Sequence, residues 1–289
     1  MVSDRSGQLP AGRAYEAAQR KASRQAARKR LDRRGALIAA ASSVVVLGGL
    51  AALILTSPGW PDVRDTFFSW QAFKDSFPGV LEGFWLDIRM FIVIELVVLA
   101  WALVVALVRV STAPALFPLR MLAAAYCDLF RGIPTILLVY LVGFGIPALE
   151  IQGLPSNPIV LGGFALTLSY GAYVSEVYRA GLLSVHRGQR DAALAIGLTE
   201  RQSLRFVVLP QAVRRVVPPL LNDFIALQKD VALVSLLGVP EAFQNAQVDA
   251  LATFNYTPLL AAAFLYLCVT VPMARIVDRM DLTVGGEAK

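Results

Sequence analysis

The residues of this sequence that could bind a polar ligand lie inside apolar runs. Glu95 interrupts one run, and Asn222, Lys229 and Asp230 interrupt another. A carboxylate at the centre of a membrane helix costs about 2.5–3.5 kcal/mol, so such a side chain either serves a substrate or pairs with another polar group. For Glu95, contact with a substrate ammonium and pairing between helices both stay open. Lys229 and Asp230 either line a substrate path or lie where a broken helix lets them reach water.

A second charged pair stands at the end of an apolar run. Glu176 and Arg179 are three residues apart, which places both on one face of a helix. This spacing predicts an ion pair at the cytosolic end of a span. A structural gate or anchor suits the pair better than contact with a substrate.

The residue types that most enzymes need are scarce. His186 is the only histidine, and Cys127 and Cys268 are too far apart for a Cys-x-x-Cys site or a disulfide framework. The sequence contains neither phosphate-binding glycine motif, Gly-x-x-x-x-Gly-Lys-Ser/Thr or Gly-x-Gly-x-x-Gly. An enzyme within the membrane would need clustered nucleophiles, histidines or paired carboxylates. We therefore expect no catalytic site, no metal and no cofactor in this chain.

The elements that must position these residues are membrane helices. The chain is 56% hydrophobic and 17% charged, with a mean hydropathy of +0.59. About 20 apolar residues, each rising ~1.5 Å, cover the ~30 Å of hydrocarbon in a bilayer. Long apolar runs that meet this condition occupy residues 36–56, 90–108, 132–149, 158–175 and 250–274.

The charge pattern adds one more span. Residues 1–34 hold ten basic and three acidic residues, so the net charge of +6 comes from this tail. A sixth span at about 216–237 places Arg275 and Arg279 on the same side as the tail, as the positive-inside rule requires. The sequence thus predicts an all-α, multi-pass protein of the cell membrane with about six spans and both termini in the cytosol. Since Tyr15 is the only aromatic residue in the tail, we expect it to meet lipid and not nucleic acid.

These features divide the chain into consecutive parts. We expect a transmembrane domain at 86–280 that contains a cytosolic loop at 184–215. The flanking parts are a basic cytosolic tail at 1–34, an additional transmembrane helix at 35–56, an extracytoplasmic loop at 57–85 and a cytosolic tail at 281–289.

The cytosolic loop has the pattern of a helix, a break and a second helix. Asp191 is expected near the start of the first helix, where a negative charge complements the macrodipole. Gly197 can adopt the left-handed conformation that ends a helix. Thr199 and Gln202 have capping-box spacing, and Pro210 prevents the second helix from continuing without a kink. The pattern predicts a rigid elbow.

The elbow resembles the EAA loop of binding-protein-dependent ABC importers. The family pattern is Glu-Ala-Ala, three residues, Gly, nine residues and Ile-x-Leu-Pro. Residues at that spacing here are Asp191, Ala192, Ala193, Gly197, Val207, Leu209 and Pro210. Asp replaces Glu and Val replaces Ile.

The flanking residues are similar to the polar amino acid branch of these permeases, which serves histidine, glutamine and glutamate. Matching positions are Ala172, Tyr173, Glu176, Arg179, Gly181, Gln211, Ala212, Arg214, Pro218, Asn222, Lys229, Asp230 and the stretch 131–134. The resemblance covers about residues 80–280. Ile133 stands where the family usually has Thr, and Val231 with Ala232 stands where it usually has Thr-Ser.

This resemblance implies a transport subunit without enzymatic activity. The implied substrates are amino acids such as glutamate, glutamine, histidine or arginine. The implied partners are ABC ATPase subunits that bind ATP and Mg, a second permease copy or paralogue, and an extracytoplasmic amino acid binding protein. Asp191, Ala192, Ala193, Gly197, Leu209 and Pro210 would couple the permease to the ATPase. The alternative is a self-sufficient secondary transporter that uses Glu95 or Asp230 as a proton carrier.

Overall fold

The computed structural model describes residue 35 and residues 38–285, with only the backbone described for 281–285. The predictions for the tail at 1–34 and for residues 286–289 lie outside this part of the chain. All regular elements in the described ranges are helices, which confirms the predicted all-α class. The chain divides into two units, residues 1–64 and 65–289.

The first unit contains helix α1 (Ile38–Leu55), which agrees with the predicted additional helix at 35–56. Its 18 residues have a mean hydropathy of 2.4, and none is buried within the chain. An apolar helix with no buried residue is suited to lipid on all sides. Helix α2 (Trp60–Phe67) follows across the boundary between the units.

The second unit contains the longest helix, α3 (Trp70–Val110), followed by a chain of shorter ones. These are α4 (Phe117–Gly132), α5 (Thr135–Ala148), α6 (Pro158–Ser184), α7 (Arg187–Ala195), α8 (Glu200–Ser203), α9 (Leu209–Asp230), α10 (Ala242–Thr253) and α11 (Thr257–Gly285). Short turns of 3-10 helix occupy Pro114–Leu116 and Val231–Leu237, and a π-helical turn occupies Leu204–Val208.

The predicted loop at 57–85 is wrong in its local structure, because α2 and the first turns of α3 fill most of it. Pro61 lies in the first turn of α2, where the missing N–H costs little. Ser69 caps α3 by accepting a hydrogen bond from the Ala72 N–H at 3.3 Å. Pro61 and Ser69 therefore stand at the starts of helices here.

The predicted boundaries of two spans also change. At 132–149, helices α4 and α5 form a pair bent by 105°. Ile133 takes the extended conformation (φ −94°, ψ 130°) that Pro134 favours in the residue before it. At 250–274, α10 ends at Thr253 and α11 begins only at Thr257.

The length and composition of the helices limit how many of them can cross a membrane. Within the described residues, four helices are long and apolar enough to cross a membrane, or five if the bent α4–α5 pair is one span. The predicted sixth span at 216–237 is helical, since α9 continues into the 3-10 turn. Because α9 is not among the helices that meet the criterion, its crossing stays a prediction.

Helix α6 lies at the centre of the second unit and packs against α3, α4, α5 and α9. It runs parallel to α3, because Gly171 approaches Trp101 and Glu176 pairs with Arg109 further along both helices. A Cβ atom at Gly171 would lie 2.7 Å from Trp101 Cδ1, so only glycine fits there without a shift. The Arg109–Glu176 ion pair and the close packing at Gly171 thus both hold α3 and α6 together.

Candidate functional site

The predicted elbow at 184–215 is present as a helix, a break and a second helix. Gly197 has φ +93° at the break. Its N–H donates to the Leu194 carbonyl at 2.9 Å, and the Leu198 N–H donates to the Ala193 carbonyl at 3.1 Å. These are the two hydrogen bonds of a Schellman motif, which ends a helix with a left-handed glycine. The predicted role of Gly197 in the bend is confirmed.

The second helix of the elbow starts with the predicted capping box. The Thr199 N–H donates to Gln202 Oε1 at 2.9 Å, and the Gln202 N–H donates to Thr199 Oγ1 at 3.3 Å. Each side chain satisfies a backbone N–H of the other residue, so the start of α8 is fixed by local interactions.

At Pro210, where a kink is predicted, the structure has a π-helical turn instead of regular α-helix before α9. The π-helical turn Leu204–Val208 comes directly before α9, and the Leu209 N–H donates to the Leu204 carbonyl across it. Proline has no N–H and its ring crowds the carbonyl four residues earlier. A wider π turn relieves this crowding at the place where the elbow joins α9.

The expected macrodipole role of Asp191 is wrong. Helix α7 already begins at Arg187 and has no acidic residue in its first turn. His186 caps it instead, because its Nδ1 accepts a hydrogen bond from the Gly188 N–H at 3.1 Å. Asp191 is left as an exposed carboxylate on the elbow surface.

An ion pair crosses the break of the elbow. Arg190 Nη2 lies 2.7 Å from Glu200 Oε2, and the two side chains are 56% and 63% exposed. A pair this exposed contributes about 0–1 kcal/mol. The bend therefore depends mainly on Gly197 and the caps.

The elbow surface exposes apolar groups beside its charges. Ile196 is 80% exposed, Phe206 63% and Leu204 53%. Ala192 is exposed, whereas Ala193 is only 4% exposed and packs inside the elbow. Large apolar side chains this exposed are available for contact with a partner protein.

The remaining predicted coupling residues lie where the elbow joins α9. Leu209 is 45% exposed and Pro210 is exposed, both at the start of α9. Of the predicted coupling residues, Ala193 is therefore the one that cannot touch a partner directly. Its small side chain instead allows close packing within the elbow.

A three-residue charge cluster lies at the end of α3 and α6. The predicted pair is present, since Arg179 Nε donates to Glu176 Oε1 at 3.0 Å. Arg109 of α3 joins it, with Nη1 donating to Glu176 Oε2 at 2.5 Å. The sequence spacing predicted the pair within α6 but gave no sign of Arg109, because that contact is made between distant residues. The cluster ties α3 to α6 just before the elbow.

The predicted pathway residues have different surroundings. Asp230 accepts a hydrogen bond from the Tyr170 hydroxyl at 2.8 Å. Glu95 is 8% exposed and lies near enough to Asp223 to interact with it electrostatically. Asn222 and Lys229 are exposed on the outer side of α9. Glu95 is thus buried and Asp230 partly buried within the chain, while Asn222 and Lys229 are exposed on its surface.

A small charged cavity of about 220 Å³ lies between α4, α6 and α9. Its lining residues are Arg131, Tyr173, Glu176, Val177, Ala180 and Asp223. The Arg131 guanidinium lies 5.7 Å from the centre of the Tyr173 ring, and the Tyr173 hydroxyl donates to the Arg131 carbonyl at 3.1 Å. Asp223 Oδ2 is buried and accepts no hydrogen bond within the described residues. The cavity therefore places one cationic side chain, Arg131, and one acidic side chain, Asp223, around the same space.

Sequence reasoning did not single out Arg131 or Asp223 as ligand-binding residues. Asp223 comes seven residues before Asp230, which places both on nearly the same face of α9. That spacing could have identified Asp223. Arg131 is brought to the cavity by the packing of α4 on α6, which the hydropathy pattern does not show.

Comparisons with known proteins place this arrangement among transport proteins. The family model described as "Binding-protein-dependent transport system inner membrane component" matches residues 114–285. This range includes the elbow and all the residues that line the charged cavity.

The alignments with three relatives extend over most of the length of each relative. The arginine transport system permease protein ArtQ of Bacillus subtilis is 32% identical over 190 residues, which are 65% of this chain and 84% of that protein. The glutamate/aspartate import permease protein GltK of Escherichia coli is 31% identical, over 73% of this chain and 96% of that protein. The glutamine transport system permease protein GlnP of Escherichia coli is 30% identical, over 74% and 96%.

Solved structures show the same fold. A chain from the crystal structure of an amino acid ABC transporter with histidines has a TM-score of 0.63 and 26% identity, over 71% of this chain and 93% of that chain. A chain of the inward-facing MetNI methionine ABC transporter has a TM-score of 0.55 and 21% identity, over 71% and 96%.

Proposed function

The chain belongs to the family of binding-protein-dependent transport system inner membrane components, and we propose that it forms the translocation pathway of an importer for polar amino acids. It is a multi-pass membrane permease of the ABC type and a transport component, as the permease names of its relatives indicate. Those relatives are named for arginine, glutamate/aspartate and glutamine. This shared class of substrate supports a polar amino acid for this chain.

The elbow is the proposed contact with a separate ATPase subunit that binds ATP and Mg. Its exposed Ile196 and Phe206 offer apolar anchors, and Asp191 offers a charge beside them. Anchors of this kind carry most of the binding energy in protein interfaces. In this proposal the elbow and both termini are cytosolic, a second permease copy or paralogue completes the pathway, and an extracytoplasmic binding protein delivers the amino acid.

The charged cavity is the proposed position of the amino acid during passage. An α-amino acid carries one ammonium and one carboxylate, and Asp223 and Arg131 supply the opposite charges in one cavity. The observation that carries this assignment is that Arg131 and Asp223 line the same small cavity. The volume of about 220 Å³ is below the ~300–1,000 Å³ of drug-sized sites, which suits one small ligand.

A self-sufficient secondary transporter is not favoured. The family match covers the elbow, and the compared structures come from ABC transporters. A secondary transporter would have no use for an exposed apolar elbow.

The test of the coupling proposal is co-purification of an ATPase from the native membrane. Replacing Ile196 by Ser should reduce the recovered ATPase, while Phe254→Ser should not, because both side chains are 80% exposed but only Ile196 lies on the elbow. Recovery of the chain alone from wild-type membranes would contradict the proposal.

The test of the substrate proposal uses the reconstituted complex with its binding protein. ATP hydrolysis should rise with one or more polar amino acids, and Asp223→Asn should lower this stimulation. Asp278→Asn is the control, because that carboxylate is 66% exposed outside the cavity. Equal stimulation of the two variants would contradict the assignment of the cavity without affecting the family.

A further inference from the structure

A second, much larger cavity lies along α3 and α6. It is a groove of about 840 Å³ whose walls are apolar side chains, with Arg89 and Thr167 as the polar exceptions. Met90, Val93 and Val97 form one wall, and Val160 and Phe164 form the other. All its lining residues belong to the second unit of the chain, and none of them lines the charged cavity.

The groove follows from helix periodicity and one small residue. Its α3 side chains recur every three or four residues, which keeps them on one helical face. At the floor of the groove a Cβ atom built at Gly163 would lie 3.4 Å from Ile94 Cγ1, so a larger side chain there would extend into the space between the walls. Val93 is 62% exposed and Phe164 is 49% exposed, although both face each other across an apolar space. The groove is therefore a lipid-accessible recess in the surface of the chain.

The position of Arg89 fixes the depth of the groove in the bilayer. Arg89 and Arg109 are twenty residues apart in α3, which corresponds to ~30 Å at ~1.5 Å per residue. This is about the thickness of the hydrocarbon core. When Arg109 stands at the headgroups on the side of the elbow, Arg89 stands at the headgroups of the opposite leaflet.

The length of the groove matches one leaflet. From Arg89 to Trp101, the stretch of α3 that lines it rises ~18 Å, close to half of the ~30 Å core. An acyl chain that enters beside Arg89 would therefore lie along the groove and end near Trp101.

The charge at the mouth selects the headgroup. The Arg89 guanidinium lies 5.5 Å from the centre of the Trp85 ring, an arrangement typical of the membrane interface. Arg89 is exposed, and no carboxylate in the described part of the chain pairs with it. Its charge is thus available to an anion at headgroup depth.

We propose that this groove binds the acyl chain of an anionic phospholipid whose phosphate contacts Arg89, in the leaflet opposite the elbow. An apolar recess one leaflet deep with a cation at its mouth complements both parts of such a lipid. A helix from a second copy of the chain would fill the recess but leave Arg89 without an anion.

The test measures phospholipids that stay with the full-length chain and its associated subunits after purification. The complex is reconstituted into phosphatidylcholine bilayers with a minor fraction of phosphatidylglycerol, re-extracted gently, and its retained lipids are quantified by mass spectrometry. We expect phosphatidylglycerol to be enriched over its bulk fraction. Arg89→Gln should lower that enrichment about fivefold, as expected for the loss of one interfacial charge.

Two further variants separate the groove from the charge. Gly163→Leu should reduce the retention of both lipids, because its side chain fills the recess. Gly145→Leu is the control, since it adds the same side chain to an exposed helical position with open space around it. Arg275→Gln is the charge control, with a side chain 77% exposed.

The proposal is overturned if Arg89→Gln keeps the enrichment, or if Gly163→Leu and Gly145→Leu retain the same lipids. It is also overturned if cross-linking between cysteines introduced at Val93 and Phe164 in different copies shows that a second copy occupies the groove.

Discussion

Replacing Gly197 by Val is the sharpest test of the elbow. A residue with a Cβ atom in this backbone region costs about 1–3 kcal/mol, and a β-branched one belongs at the upper end. No other group lies within 4 Å of a Cβ atom built at Gly197, so the cost is conformational and not a clash. A cost of about 3 kcal/mol lowers the population of the bent elbow roughly 150-fold relative to an unbent one.

The assay measures amino acid uptake and ATP hydrolysis in proteoliposomes, together with the amount of chain in the membrane. Gly197→Val should keep normal insertion but lose transport driven by ATP. Gly197→Asn should keep more activity than Gly197→Ala, because asparagine tolerates a left-handed backbone better than alanine. This order separates a backbone effect from an effect of side-chain size.

Gly145→Val is the matched control, because that glycine is helical and also has open space around it. Normal uptake by Gly197→Val would refute the reasoning. Equal loss in the Asn and Ala variants would show that the left-handed conformation is not what matters.

Two further predictions concern charged groups. Glu176→Gln should lower the melting temperature of the complex by a few degrees, because it weakens the contacts of Glu176 with Arg109 and Arg179. Asp278→Asn is the control and should leave the melting temperature unchanged, because it removes only an exposed ion pair with Arg275. Glu95→Gln should change substrate affinity in binding titrations only if Glu95 lines the pathway; unaltered affinity with altered stability would support pairing between helices instead.

The elbow could be predicted from the sequence because its causes are local. Gly197, Thr199 and Gln202 act on backbone groups within five residues, so their types and spacing are sufficient. The start of α7 is also set locally, but the sequence did not predict it correctly. Histidine is not among the favoured N-cap residues, so His186 gave no signal that the helix begins there.

The helical segment at 57–85 and the charged cavity could not be predicted in this way. Hydropathy reports suitability for lipid, and amphipathic or interfacial helices such as α2 do not register in it. The cavity joins Arg131 of α4 to Asp223 of α9, so it exists only after α4 and α9 have both packed on α6. Contacts between residues so distant in sequence leave no periodic pattern.

The connections of the elbow explain how it could act on the cavity. Its first helix begins three residues after α6 ends, and its second part continues through the π turn into α9. The Arg215 side chain of α9 donates a hydrogen bond to the Ser184 carbonyl at the end of α6, which holds the two stems together.

The same two helices supply opposite walls of the cavity, since Tyr173 belongs to α6 and Asp223 to α9. Asp223 lies thirteen residues beyond Pro210, or ~20 Å along α9. In the proposed coupling, a displacement of a rigid elbow would reach α9 through the π turn and α6 through the short connection at 185–186, whereas an elbow that flexes at Gly197 would absorb it. We therefore expect Gly197→Val to reduce uptake strongly while it changes the stability of α6 and α9 little.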